Sequence, residues 1–361
     1  MKVVRIIKSC LVVFIVLILL ILNTGHLHAQ SKGPDLQTFL DKNIGFSKGE
    51  LSAIDTDVVV KQVQTPEETR EIAAIGIVRI NVPKDFFITQ FRHIESFMKS
   101  DKLEQIGTFS NPPKPEDIAA FQLPKSDLEE LAKCKIGNCK FKTPAWVFDH
   151  LQEIDWSKGD SAARVTDLFR RDIISYVQNY LKSGNSALLV YADRKKPMAL
   201  AEGFDTLLAQ ASYVYRYIPE LHRYLKEFPR SAPPGVDDFL YWSEQDFGQR
   251  PTTTITHATI YDLTEGANPD AMIALKQLFA SHYFQARFAL MALADVPAGV
   301  KKPGFYLVYL DRLLFDDDLN WASRKLIMKG VQSYITSWLN VIRKRLQDSY
   351  KNTKDKADHS Q

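Results

Sequence analysis

The sequence is poor in the residues and motifs that announce chemistry. It has no His-Glu-x-x-His pair, no glycine-rich phosphate loop and no dinucleotide fingerprint, so nothing in it points to zinc proteolysis or nucleotide chemistry. None of its eight histidines stands four residues from another on a helix, so no metal is expected, and no cofactor. Cysteine is scarce too: three in 361 residues, one of them Cys10 near the start. Net charge is small, +3, and its excess sits in Lys2, Arg5 and Lys8. Beyond residue 29 the cations and acids balance at 43 each. A balanced chain lacks the concentrated basic field that a phosphate backbone requires, which argues against a nucleic-acid partner.

What stands at the N-terminus reads as an export signal over residues 1–29. The three cations precede an apolar run from Cys10 to Leu22, and Leu27-His28-Ala29 forms a small-residue cleavage site before Gln30. The run of 13 residues falls short of the roughly 20 that span a bilayer. The expected location is the periplasm or the extracellular space, with an uncleaved anchor as the alternative; otherwise the membrane is met only through the signal. Cys134 and Cys139, four residues apart across Lys-Ile-Gly-Asn, are then expected to form a disulfide. The spacing is not the C-x-x-C of redox proteins.

There is no internal repeat and no long linker. Clusters of proline and glycine at 111–115 and 229–235 divide the rest into an N-terminal part of the core (30–110), a helical insertion (111–245), and strands with a closing helix (246–348). A polar tail, 349–361, is expected to be disordered. Strands are predicted at Asp57–Gln64, Ile72–Val82 and Leu103–Phe109, and one helix at Asp85–Met98, where Phe87, Ile88, Phe91, Ile94 and Phe97 share a face. Helices are predicted at Pro144–Ile154 and Ser161–Lys182, and over Leu200–Phe228 with a break at Pro219. Strands return at Thr252–Leu263, Met272–Phe284, Arg287–Asp295 and Phe305–Arg312. Leu319–Leu346 closes the chain as an amphipathic helix, and Asp316-Asp317-Asp318 before it read as capping residues.

This order defines an α+β fold: a curved, mostly antiparallel sheet packed on a long C-terminal helix, with a large helical insertion. The run Gly76-Ile-Val-Arg-Ile-Asn-Val-Pro-Lys-Asp-Phe-Phe-Ile-Thr-Gln-Phe-Arg-His-Ile-Glu-Ser-Phe97 resembles the opening of START and polyketide-cyclase-like helix-grip domains. Those domains open with a strand, then a proline, then an amphipathic helix ending in an aromatic such as Phe97. The resemblance covers about 76–110 and 250–348, and implies a sheet wrapped on the final helix around a cavity for an apolar or amphipathic small molecule. The chain also resembles exported bacterial proteins sharing the Cys-x4-Cys turn and the segment Ser281-His-Tyr-Phe284.

Polar residues interrupt the C-terminal strands at His257, Lys276, His282, Arg287, Asp311 and Arg312. Strand alternation puts Lys276 and His282 on one face with Met272, Leu278, Ala280 and Phe284. Together with His257, Tyr283 and Arg312 they are the candidate ligand contacts; a buried Lys or His there needs a partner, for which Asp295 or Asp311 is available. The bland alternative is a solvated or internally satisfied face. The leading functional expectation is non-catalytic binding or carriage of a lipid-like small molecule. The competing expectations are a cyclase- or hydrolase-type enzyme using His257 or His282 as general base, and a structural or partner-binding envelope protein of unknown protein partner.

Overall fold

The computed structural model describes residues 36–65, 68–211, 216, 218–247, 250–262, 271–296 and 304–358. Residues 1–29, expected from the sequence to be an export signal, Tyr213, Tyr215 and Tyr217, most of the two loops at 264–269 and 296–304, and the last three residues lie outside them. Two short helices, α1 (Leu36–Phe39, running into a π turn over Leu40–Ile44) and α2 (Lys48–Ala53), lead to strands β1 (Val59–Val63) and β2 (Glu71–Ile80). Pro83 ends the strand and stands at the N-cap of α3 (Lys84–Arg92). The single helix expected here breaks at His93, where φ −88° and ψ 59° leave the helical region. It restarts as α4 (Ile94–Phe97), and the break turns the Phe97 ring onto Phe87 and Phe91, with centroids 5.5 and 5.1 Å away.

After β3 (Leu103–Thr108) the chain leaves the sheet, and its described residues form the α-helices α5 (Lys125–Leu131), α6 (Ala145–Gln152), α7 (Ser161–Ser183), α8 (Leu200–Gln210) and α9 (Pro219–Glu227), with a two-residue ribbon of β4 (Val190–Tyr191) and β5 (Met198–Ala199). It returns as β6 (Val236–Asp246), β7 (Pro251–Asp262), β8 (Ala271–Ala280), β9 (Phe284–Asp295) and β10 (Phe305–Phe315), and ends in α10 (Trp321–Asp358). Two boundaries differ from expectation. The insertion stops before Val236, because Val236–Asp246 pairs with both β3 and β7. Helix α10 runs to Asp358 through the segment expected as a tail.

All eight strands of the main sheet pair antiparallel in the order β1-β2-β10-β9-β8-β7-β6-β3, and the sheet is open. The N-terminal strand β2 thus lies beside the last strand β10, in register from Phe305↔Ile80 to Leu314↔Glu71. One core lies between the sheet and α3, α4 and α10, and the other between the sheet and the remaining helices. Helix α10 buries Ile335, Leu339, Ile342 and Leu346 at helical spacing, each contributing roughly 1.5–3 kcal/mol. It comes close because β2 carries Gly76 there: a Cβ would lie 2.5 Å from Ile335 Cγ2 and 2.7 Å from Leu339 Cδ1. The cap of α10 is Asn320, whose Oδ1 accepts from Ser323 N at 2.9 Å. Asp316 and Asp317 do not cap it. They bind Lys142 (2.8 Å) and Arg194 (2.5 Å) and tie the insertion to the end of β10.

Candidate functional site

Between the sheet and α10 the packing leaves a cleft. Its floor is the α10-facing side of β6 to β10, and its rim is Met98 after α4 together with Tyr334 and Trp338, one turn apart on α10. Alternation along β10 sends Tyr309 and Asp311 to this side with Leu307 and Leu313, and β9 adds Arg287. Arg287 holds Asp311 with two parallel bonds, Nε to Oδ1 at 2.9 Å and Nη2 to Oδ2 at 2.7 Å, the geometry that makes arginine–carboxylate pairs strong. Its Nη2 also donates to Tyr309 Oη at 3.1 Å. Tyr334 Oη donates to Gln245 Oε1 (3.2 Å), Gln245 Nε2 donates to Ser243 Oγ (3.2 Å), and Ser243 Oγ shares a hydrogen with Thr254 Oγ1 (3.1 Å).

The enclosed part of the cleft measures about 40 Å³, room for roughly three water-sized groups. Met98 and Leu275 flank it half-buried, and half-buried Phe239 and Ile106 continue the apolar surface toward β3. Burial works against the Arg287 cation, yet Asp311 and Tyr309 outweigh it and hold the guanidinium well above its ordinary range. Burial raises the phenols of Tyr309, Tyr334 and Tyr241, the last to about 12, so all three keep their protons at neutral pH. Trp338 packs against the Tyr309 ring at a tilt of 43°, with centroids 4.9 Å apart. Its buried Nε1 has no acceptor among the described residues.

Of the candidate ligand contacts, His257, Lys276, His282 and Arg312 lie on the side of the sheet covered by the helical insertion, while Tyr283 packs on the α10 side. Two come together: His257 and Lys276 are direct cross-strand neighbours in β7 and β8. His257 Nε2 meets Asp238 Oδ1 at 2.9 Å, and its Nδ1 meets Tyr180 Oη at 2.9 Å. Asp238 also accepts from Thr259 (2.7 Å) and from Tyr224. Burial alone would raise the Asp238 carboxyl, but the bonds from His257, Tyr224 and Thr259 bring it below its usual value. Lys276, 1% exposed, binds Asn185 Oδ1 and lies over the rings of Phe204 (4.2 Å) and Tyr180 (5.3 Å). Burial drives its pKa down to about 7, against a weaker opposing pull from Asp205.

His282, Tyr283 and Arg312 are separate from that pair. The expected strand Met272–Phe284 ends at Ala280, and Tyr283 takes φ 70° in the turn to β9, so His282 sits in that turn and not on the strand with Lys276. It meets Asp127 Oδ1 and Lys140 O, both at 3.1 Å. Arg312 pairs with Glu71 at 2.5 Å and donates to Gln210 O at 3.0 Å. Neither proposed carboxylate partner serves Lys276 or His282, because Asp311 is taken by Arg287 and Asp295 by Lys84. Ala280 and Phe284 fall on the α10 side, whereas Met272 and Leu278 stay with the helical layer.

Cys134 and Cys139 stand at disulfide distance, with Cα atoms 4.7 Å apart. Gly45-Phe-Ser-Lys-Gly49 has Gly-x-Ser-x-Gly spacing, which the reading of motifs above passes over, but Ser47 forms the capping box of α2 with Glu50 and follows a π turn, not a strand. It is not a nucleophile elbow. Among the described residues no cluster of His, Cys, Asp or Glu is arranged to hold a metal ion, and no helix is long and apolar enough to cross a membrane.

Of the cleft residues, Arg287 and Asp311 stand out in the sequence as polar interruptions though not as ligand contacts, while Tyr309, Tyr334, Trp338 and Gln245 are not singled out. Arg287 and Asp311 interrupt apolar strands, and Tyr334 and Trp338 fall at i, i+4 on the buried stripe of α10. No known protein family matches the chain, and no curated protein matches it.

Proposed function

We propose that the protein binds an amphipathic small molecule in the cleft beneath α10, without catalysis. The observation that carries this reading is a hydrogen-bonding patch, Arg287, Tyr309, Tyr334 and Gln245, that shares a cleft with the apolar side chains of Met98, Leu275, Ala289 and Met291. Binding pockets of this composition, mostly apolar with a few convergent polar groups, are where proteins hold small molecules. About 40 Å³ admits a head group and not a whole lipid, so the apolar body lies along Met98, Leu275, Phe239 and Ile106 at the open side. The helix-grip reading is supported by the strand order β2-β10-β9-β8-β7-β6-β3 and by the placing of α3 and α4 between the first two strands in sequence of that series. An exported location is supported by the N-terminal signal pattern and by the paired cysteines. A general-base enzyme has less support, since His257 and His282 are both buried and each is engaged by a carboxylate.

Native mass spectrometry of detergent-free protein tests the reading. A bound amphiphile is expected in the wild type and is expected to be lost in Leu275→Trp, which fills the open side. Protein that is empty and takes up no uncharged amphiphile would exclude it.

A further inference from the structure

Resting on that reading, we propose that the cleft selects amphiphiles whose head is uncharged and accepts hydrogen bonds, such as a ketone, ester or amide, over those ending in a carboxylate or phosphate. Two independent features support this. Arg287 is the cation of the cleft, and its charge is already balanced by both oxygens of Asp311. An anionic head would have to approach a buried carboxylate or displace it, and either choice leaves one negative charge uncompensated out of water. One donor of the cleft, by contrast, stands without an acceptor. Trp338 presents a buried Nε1–H with no acceptor among the described residues, on the wall of the cleft and against Tyr309. Gln277 lies on the sheet floor of the cleft, and its amide nitrogen and oxygen both lack a partner in bonding geometry among the described residues. A buried donor without a partner costs free energy that an incoming carbonyl oxygen recovers. That oxygen needs only the space of a water-sized group, which the enclosed part of the cleft has.

The test is displacement of 1,6-diphenylhexatriene, a hydrocarbon dye without a hydrogen-bonding group, by 2-decanone and by decanoate at pH 8, where decanoate is ionised. The ketone is expected to displace the dye at a concentration at least tenfold lower than the carboxylate. Trp338→Phe removes the N–H while keeping an aromatic ring, and is expected to weaken the ketone relative to decanoate by roughly 3- to 10-fold, each referred to the dye's dissociation constant measured in that variant. Asp311→Asn uncovers the arginine and is expected to shift the preference toward decanoate; Trp338→Phe carries the test alone if that variant does not fold. Equal displacement by the two ligands, or no effect of Trp338→Phe, overturns the head-group selection and leaves binding intact. If folded wild type binds no dye, or Leu275→Trp binds it unchanged, the cleft-binding reading falls and the selection falls with it.

Discussion

Lys276→Met is expected to stabilise the protein at pH 6 and to lose that advantage as pH rises. The Lys276 side chain is buried with aromatic rings on two sides and an amide oxygen as its hydrogen-bond acceptor. The charged groups near it are the Asp205 carboxylate on α8 and, beyond His257 and Tyr180, Asp238 on β6, which also accepts from Tyr224 on α9. Burial lowers its pKa from 10.5 to about 7. Below pH 7 both the folded and unfolded chains carry the proton, and the folded state bears the full cost of a buried charge. Between 7 and 10.5 the unfolded chain holds a proton that the folded chain has released, so stability rises with pH through that window. At about 1.4 kcal/mol per unit the whole window corresponds to roughly 5 kcal/mol as an upper bound, of which relaxation leaves a few.

Methionine fills similar volume without a charge. The variant is expected to gain about 2–4 kcal/mol at pH 6 and to be level with or about 1 kcal/mol below wild type at pH 10, where Asn185 Oδ1 has lost a donor. Urea unfolding followed by tryptophan fluorescence at unit steps from pH 6 to 10 measures the difference, in which all other titrations cancel. A difference that stays constant across the window, or a variant less stable at pH 6, would refute the claim that the amine is buried against its own charge.

Three further outcomes follow from other buried contacts. Glu244, on β6, is raised to about 7 by burial, with Asp127 adding to the rise and the bond from Gln105 opposing it; the folded state therefore keeps a proton that the unfolded chain loses above about 4.5, and stability falls as pH climbs from 4.5 to 7. Glu244→Gln should flatten that fall, worth up to roughly 3 kcal/mol, in urea titrations at pH 5 and 8. Gly76→Val should cost about 2–4 kcal/mol and expose the amides of α10 and β2 to hydrogen exchange, because its side chain enters the space of Ile335 and Leu339; unchanged protection would mean that α10 does not depend on that close approach. Replacing Cys134 and Cys139 by serine should cost roughly 2 kcal/mol and loosen the 134–142 turn and its contacts with Ala192 and Asp193, leaving the exchange of β8 to β10 intact.

The architecture was legible because strand and helix periodicities are local properties, and proline or glycine marks most of their ends. Where the reading missed, the deciding partner was distant in sequence. Strand β6 carries Asp237, Asp238 and Glu244, which make it look polar. Inside the fold, Asp238 is consumed by His257, Thr259 and Tyr224, and Glu244 by Gln105. The triple aspartate before α10 likewise reads as a cap, since Lys142 and Arg194 reach Asp316 and Asp317 from more than a hundred residues away. Periodicity sees the acid; it cannot see the cation that removes it from the surface.

The site was harder to read because a face assignment depends on parity, and one irregularity reverses it. Between Ile255 and Thr256 the register of β7 on β8 shifts, with Gln277 opposite Thr256 and Phe279 opposite Ile255. A bulge of this kind reverses alternation beyond it. Leu278 and Phe279 consequently both face the helical layer, while Ala280 turns to α10. The polar residues picked out by counting along β8 landed under the insertion, where helices bring a counterpart to each: Tyr180 to His257, Asn185 to Lys276, Asp127 to His282. On the other side of the sheet Arg287, Tyr309 and Asp311 satisfy one another from within the strands. Helix α10 then adds an indole N–H that no acceptor among the described residues meets. A hydrogen-bonding group that folding leaves unanswered, beside apolar surface that folding leaves half-exposed, is a stronger pointer to a ligand than any charged residue whose partner is already in place.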